Sequence, residues 1–202
     1  MKPKSPSASR REREHEEHRN SILLAAETIF AAKGYDETTI AEIAREAQFS
    51  VGSIYNFFPG KRELGEAVML RIATERVSDI EALSGKKFQS GDEALTEYAR
   101  VWVHHYAIHG AFLRMGMDTM RRRGISEPPK AIAEQIEKHR EVGNRFFENN
   151  RKYFRDVPTP VLYQAAEGLL HHAMFLWFRY GKTDLVELER KCIEFLPVFF
   201  RK

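Results

Sequence analysis

Residues 38–61 read Thr-Thr-Ile-Ala-Glu-Ile-Ala-Arg-Glu-Ala-Gln-Phe-Ser-Val-Gly-Ser-Ile-Tyr-Asn-Phe-Phe-Pro-Gly-Lys, a spacing that describes two short helices joined by a tight turn. Thr39 is a good N-cap, and Glu42 three residues later completes a capping box that fixes where the first helix starts. Ile40, Ile43, Ala44 and Ala47 recur at helical spacing and form its inward stripe. Ser50 caps a second helix, Val51 to Phe57, whose Ile54 packs inward together with Phe58. Val51, Gly52, Ser53, Tyr55 and Asn56 are left facing out. A short helix with no bulky charge at its leading end can enter the DNA major groove closely, so residues 39–58 read as a helix-turn-helix.

Working outward, residues 17 to 70 resemble the DNA-binding domain of the TetR family of bacterial transcription regulators. The resemblance is carried in fixed register by Ile22, Leu23, Ala25, Ala26, Phe30, Gly34, Thr39, Ile43, Ala44, Ala47, Ser50, Gly52, Ile54, Tyr55, Phe58, Lys61 and Leu64. The rest of the chain is compatible only in length and helical character. Two positions depart from the pattern. Gln48 stands where the family usually has Gly in the inter-helix turn, and a left-handed backbone there costs Gln on the order of 1 kcal/mol. Pro59-Gly60 replaces the usual Ser-like cap ahead of Lys61, and Gly remains an acceptable cap.

The resemblance implies phosphate contacts from Thr39, Tyr55 and Lys61, which position the protein, and base contacts that specify sequence. Base readout falls to Val51, Gly52, Ser53 and Asn56, with Ala41 nearby on the preceding helix. With Ser50 and Phe57 these complete the expected DNA-facing set. No Arg or Lys lies between Arg45 and Lys61, so the bidentate Arg-to-guanine contact does not come from this helix. Specificity is expected from Asn56 on adenine, apolar contact with thymine methyls, and DNA shape. Arg45 is read as an exposed helix residue with no DNA role.

The 202 residues suffice for one large or two small domains with a real core, and 43% hydrophobic with 30% charged residues belongs to a soluble globular chain. No apolar run approaches the roughly 20 residues needed to span a bilayer. The polar, charged N-terminus lacks the apolar core of a secretory signal. The single cysteine, Cys192, excludes an internal disulfide framework and suits a reducing cytosol. Together with this, the resemblance implies a cytoplasmic bacterial protein, nucleoid-associated when bound. A net charge of +3 carries little weight for nucleic-acid binding. In the leader, Arg10, Arg11 and Arg13 are offset by Glu12, Glu14, Glu16 and Glu17. Residues 1–16 are therefore read as a disordered or frayed leader, in preference to Arg10 and Arg11 reaching phosphates or the minor groove.

No segment shows sustained period-two alternation, and the expected class is all-α with nine helices. Beyond the helix-turn-helix the patterns cover 18–33, 61–82, 92–109, 111–122, 129–154, 159–180 and about 183–200, punctuated by Gly34, Ser84-Gly85, Pro128-Pro129, Pro158 and Gly181. The expected division is a DNA-binding head over 17–77 and a ligand-binding and dimerisation domain over 78–202. The 159–180 segment is apolar nearly all round, which marks burial on more than one side. A central core helix in a monomer is the plainer reading. A homodimer is preferred, built as a four-helix bundle from Leu162, Ala166, Leu169, Ala173, Leu176, Leu188, Cys192, Phe195 and Phe199, and the resemblance implies the same. Two heads would then sit about 34–36 Å apart on a pseudo-palindromic double-stranded operator.

The resemblance also implies a pocket in the C-terminal domain for a small-molecule effector that prefers the DNA-incompetent state. Its candidate lining is Trp102, His105, Tyr106, His109, Phe112, Met115, Met120, His172 and Phe175, suited to apolar or aromatic compounds. Such residues are more often plain core. His104, His105, His109, His171 and His172 raise a metal reading, set aside because no acidic residue sits at ligand spacing beside them; no metal or cofactor is expected. The chain lacks a phosphate-binding Gly loop, a nucleophile elbow and paired catalytic carboxylates, so no enzyme is expected. The expected function is a homodimeric repressor released from DNA by its effector. The alternative is an architectural or adaptor protein of the same fold without one.

Overall fold

The computed structural model describes residues 6–122, 124, 127–180 and 184–202. Eight α-helices follow one another: α1 (Pro6–Lys33), α2 (Ile40–Glu46), α3 (Val51–Phe57), α4 (Lys61–Ser84), α5 (Gly91–Arg122), α6 (Lys130–Asn149), α7 (Thr159–Tyr180) and α8 (Leu185–Phe200). A 3-10 turn, Arg151–Tyr153, follows α6. Among the described residues there is no strand, only one isolated bridge between Phe154 and Arg201. No helix among them is long and apolar enough to cross a membrane. The all-α expectation holds.

The helix count does not. The break expected between residues 109 and 111 is absent, and α5 runs unbroken through Gly110 and Gly116. Glycine costs a helix interior about 1 kcal/mol relative to alanine. At position 116 a Cβ would stand 2.8 Å from Met69 Cε of α4, so a side chain there would push the Met69 methyl aside. The leader is a second correction: α1 is helical from Pro6, not from residue 17 or 18. Arg10 Nε donates to Glu14 Oε1 at 2.7 Å one turn along. The imidazoles of His15 and His18 pack on Phe57 and Phe49, with ring centroids 4.6 and 5.1 Å apart. An exposed i,i+4 pair contributes only about 0.2–0.5 kcal/mol, so the ring contacts are the firmer anchor for these turns.

The chain divides into two compact units, and the boundary differs from the 77/78 position expected. One unit runs up to Arg71 and includes Ala111–Pro129; the other comprises Ile72–Gly110 and Lys130–Lys202. We call them the head and the body. Residues 111–129 join the head because Phe112 meets Phe30 at 6.1 Å between centroids and Arg122 reaches Asp36 at 3.5 Å. The head core gathers Ile22, Leu23, Ala26, Phe30, Ile43, Ala44, Ile54, Phe58, Leu64 and Val68, all buried. Arg71 pairs with the buried Glu27 at its edge. In the body, Phe147 lies 5.2 Å from Phe146, 5.4 Å from Phe154 and 5.9 Å from Phe200, centroid to centroid. That aromatic cluster ties α6 to the end of α8, where Arg201 Nε donates to Asp92 Oδ1 at 2.7 Å.

The turn between α2 and α3 is a Schellman motif: Phe49 N–H donates to Ala44 O at 2.8 Å and Gln48 N–H to Arg45 O at 3.2 Å. It puts Gln48 at φ +60°, and among the described residues no other non-glycine has a positive φ. The left-handed conformation anticipated at that position is therefore present. Its penalty for a residue with a Cβ is about 1–2 kcal/mol. Part of the relief from removing the Cβ is offset by glycine's greater freedom in the unfolded chain. Gln48→Gly is expected to stabilise the protein by about 0.5–1 kcal/mol in urea unfolding. No gain, or a loss, would mean the turn is not strained.

Candidate functional site

Two caps aim the helix-turn-helix. Thr39 Oγ1 accepts from Glu42 N–H at 3.3 Å while Glu42 Oε2 accepts from Thr39 N–H at 3.0 Å, the reciprocal box expected from the sequence. Lys33 closes on the other Glu42 oxygen. That bond first, and then those from Thr39, hold the Glu42 carboxyl down to about 2. Ser50 Oγ accepts from Ser53 N–H at 3.0 Å and lies 2.7 Å from Ser53 Oγ. Ile54 and Phe58 are buried beneath α3. Its opposite face therefore presents Ser50, Val51, Gly52, Tyr55 and Asn56 to solvent, with Ala41 of α2 also exposed. Ser53 is half-buried and shares its hydroxyl with Ser50. Phe57, expected at the DNA, is half-buried with its ring against His15 and Phe58.

Lys61 takes a role in the fold that its sequence position did not show. Its Nζ donates to three backbone carbonyls, Tyr35 O at 2.9 Å, Asp36 O at 3.1 Å and Thr38 O at 2.8 Å, and lies 4.9 Å from the centre of the Tyr35 ring. An ammonium has three donors, and here all three are engaged. Through these bonds Lys61 pins the α1–α2 loop to the start of α4. Sequence spacing could not show this, because the partners are 23 to 26 residues away.

Against this geometry, residues 22–68 match the sequence profile described as bacterial regulatory proteins, tetR family. Over residues 22–68 the chain matches the TetR family. The chain is 47% identical over 49 residues to the HTH-type transcriptional regulator HbdR of Aromatoleum sp. (strain CIB), covering 24% of this chain and 21% of that protein. It is 41% identical over 56 residues to the HTH-type transcriptional regulator SrpR of Pseudomonas putida, covering 28% and 26%. These matches thus span about a quarter or less of each relative's own length. Whole-chain likeness is structural. The fatty acid degradation regulator FadR from Bacillus halodurans superposes with a TM-score of 0.70 at 18% identity over 96% of each chain. SmeT, the repressor of the Stenotrophomonas maltophilia multidrug efflux pump SmeDEF, gives 0.63 at 21%, covering 91% of this chain and 90% of that one. At these identities the likeness establishes a shared fold.

Beyond its TetR-type head, the chain carries a polar cluster in the body. Glu167 Oε1 accepts from Tyr98 Oη at 2.7 Å and from Trp102 Nε1 at 2.8 Å. His139, on α6, places Nδ1 3.0 Å from Tyr163 Oη. The Tyr163 ring can lie there only because residue 143 is glycine, where a Cβ would fall 2.4 Å from a ring carbon. The Arg76 guanidinium stands 5.1 Å from the centre of the Trp102 ring. Burial pushes the Glu167 carboxyl up to about 7. Burial first, and then Arg76, pull His105 and His139 each down to about 3, so both are neutral at physiological pH. Of these groups only Trp102 and His105 were in the expected lining. Glu167 had a sequence signal, since it is the one charged residue among the eighteen from Val161 to Phe178.

The rest of the expected lining scatters. Trp102, His105, Tyr106 and His109 are buried in the body. Phe112 and Met115 belong to the head, where Phe112 packs on Phe30. His172 and Phe175 lie exposed, because the α7 face that enters the core carries Leu162, Ala166, Leu170 and Met174. The Met120 side chain is outside the described residues. A carboxylate absent from the sequence-based reading does approach the histidines: Glu75 Oε2 of α4 is 3.2 Å from His109 Nε2. Among the described residues no three His, Cys, Asp or Glu groups could hold a metal ion.

The expected dimer set splits by burial. Leu162, Ala166, Leu188 and Cys192 are buried inside the subunit, and burial raises the Cys192 thiol to about 11. Leu176, Phe195 and Phe199 are exposed, with Leu169 and Ala173 between. Leu169, Ala173, Leu176, Cys192 and Phe195 line a groove of about 390 Å³ between α7 and α8.

Two outcomes follow from these contacts. Lys61→Ala should destabilise the protein by about 1–3 kcal/mol in urea unfolding, by releasing three carbonyls from a charged donor. The slope of log K against log salt for DNA should stay unchanged, whereas loss of a phosphate contact would lower it by about 0.9. For Glu167, the folded state alone keeps its proton from the ordinary 4.5 up to about 7, so its contribution to stability falls as pH rises through that window. His105 and His139 act oppositely, losing stability as pH falls below the ordinary 6.5 toward about 3. The comparison with Glu167→Gln, which retains Oε1 as acceptor, isolates the carboxyl. The variant should gain on wild type by on the order of 1–3 kcal/mol between pH 5 and 8 in urea unfolding. A constant difference would place the titration elsewhere.

Proposed function

We propose that the chain is a sequence-specific, homodimeric DNA-binding transcriptional regulator, a repressor whose hold on a pseudo-palindromic operator is released by a small molecule bound in the body. The outward face of α3 carries this reading: small and polar side chains, held by the Ser50 cap, on a head of TetR type. Such a face suits close docking in the major groove, with Asn56 as the adenine reader and Val51 against thymine methyls. Tyr55, 52% exposed, has a phenol free to meet a phosphate. α3 has no cation, so specificity there comes from hydrogen bonding, methyl contact and DNA shape.

Support for a homodimer comes from the last two helices. Phe175, Leu176, Phe195, Val198 and Phe199 are all exposed on α7 and α8. A second copy of the same pair would bury them as a four-helix bundle and set two heads against two half-sites. Repression and effector release are supported by the fold shared with SmeT, a repressor, and by the buried polar cluster of the body.

The test is footprinting of the purified protein on DNA flanking its own gene across a salt series. A two-fold-symmetric protected site is expected. Gly52 supplies the discriminating variant, because a Cβ there would meet only Ser50 Oγ at 3.9 Å. Gly52→Ala should fold at least as stably, gaining up to about 1 kcal/mol of helix propensity. It should nevertheless weaken operator binding tenfold or more, about 1.4 kcal/mol, by holding α3 off the groove. Operator binding unchanged by Gly52→Ala would remove α3 from the groove.

A further inference from the structure

The body holds hydrogen-bond donors that no protein group takes. His139 is 2% exposed, and its Nε2 is buried without a partner among the described residues. The phenol of Tyr163 is the better donor and an imidazole nitrogen the better acceptor, so that bond is assigned as Tyr163 Oη–H to Nδ1, leaving the proton on Nε2. His105 is 4% exposed, and neither of its ring nitrogens is hydrogen-bonded among the described residues. Arg76 Nε is likewise buried and unpartnered, and its guanidinium has no ion pair among the described residues. Arg76 and His139 both stand at Trp102, the guanidinium 5.1 Å and the imidazole 6.3 Å from its ring centre, and the His105 ring lies 6.1 Å from Tyr106, which stacks on Trp102.

An unpaired buried polar group costs about 1–3 kcal/mol, and His139 Nε2 and Arg76 Nε together call for one acceptor-rich partner, with His105 beside them. Glu167 cannot serve. Its Oε1 is taken by Tyr98 and Trp102, and its Oε2 is 3.8 Å from the wrong nitrogen of His139, Nδ1. An anionic partner suits Arg76, the cation whose charge acts on both imidazoles, and the two oxygens of a carboxylate can take several N–H donors. Aromatic rings stand beside these donors. Trp102 and Tyr106 stack 5.3 Å apart, and His171 meets Trp102 edge-on at 4.6 Å.

We propose that the body binds an apolar monocarboxylate, its carboxylate taken by Arg76 and the imidazoles of His105 and His139 and its apolar part resting beside Trp102. As the effector class of the regulator, this rests on the function proposed above. Binding itself does not. A phosphate dianion is disfavoured, since one guanidinium would leave half its charge buried and unmatched.

The experiment titrates the full chain, carrying Trp177→Phe so that Trp102 alone reports by fluorescence, with benzoate, phenylacetate and octanoate and with their primary amides. The amides keep shape and lose charge. At least one acid should bind with Kd of about 1 mM or tighter and exceed its amide tenfold or more, the preference expected of a charge-assisted site. Arg76→Met should abolish that preference while the amide binds as before. Equal binding of acid and amide, no acid binding below about 10 mM, or a preference that survives Arg76→Met would each overturn the proposal. The acid–amide comparison in the Arg76 protein needs no further variant, so a misfolded Arg76→Met leaves it decisive. Footprinting runs beside it. Operator protection without acid preference sinks this site and keeps the regulator. Acid preference without protection at any salt does the reverse.

Discussion

One ammonium group organises the head. Lys61, at the first position of α4, gathers the carbonyls of Tyr35, Asp36 and Thr38, and so fixes the loop that delivers Thr39 to its cap position. The capping box then sets where α2 begins, the Schellman turn sets where it ends, and the Ser50 cap starts α3 two residues after Gln48. Each step constrains the next. Seven-residue helices such as α2 and α3 are too short to persist alone in water, so the direction of α3 depends on this chain of caps and on Ile54 and Phe58 beneath it. Gln48 shows how firm the constraint is, since the turn holds a residue with a Cβ in a left-handed conformation.

In the body the corresponding constraint is a buried carboxyl group. Glu167 draws Tyr98 and Trp102 of α5 onto α7 through a single oxygen, and both donors come from residues almost wholly inside the core. A buried polar network is stable only when its members are satisfied. This one is satisfied at Glu167 and unsatisfied at His139 Nε2 and Arg76 Nε. That contrast separates the part that holds helices together from the part whose donors stay unpaired.

The outward face of α3 and the unpaired donors of the body have a common character. Both are regions where the chain could have satisfied or filled a surface from within and does not. Gly52 has space for a side chain and lacks one, and His139 has an N–H and no acceptor. The exposed phenylalanines of α7 and α8 are the apolar counterpart.

Local signals alone determined the helix-turn-helix: the caps at Thr39 and Ser50, the strained turn at Gln48 and the all-α class lie within a few residues of the groups they control. Contacts of long sequence range did not leave such a mark. Gly110 reads as a break, yet α5 passes through it. The leader reads as frayed, yet its histidines find Phe49 and Phe57. Apolar periodicity showed that α7 and α8 are buried on several sides but not which residues face their own subunit, so Leu162, Ala166, Leu188 and Cys192 turn inward. The tertiary structure alone decided that Lys61 serves the fold and that Arg76 and His139 meet at Trp102. Such convergence depends on how distant helices pack, whereas a cap or a turn depends on neighbours along the chain.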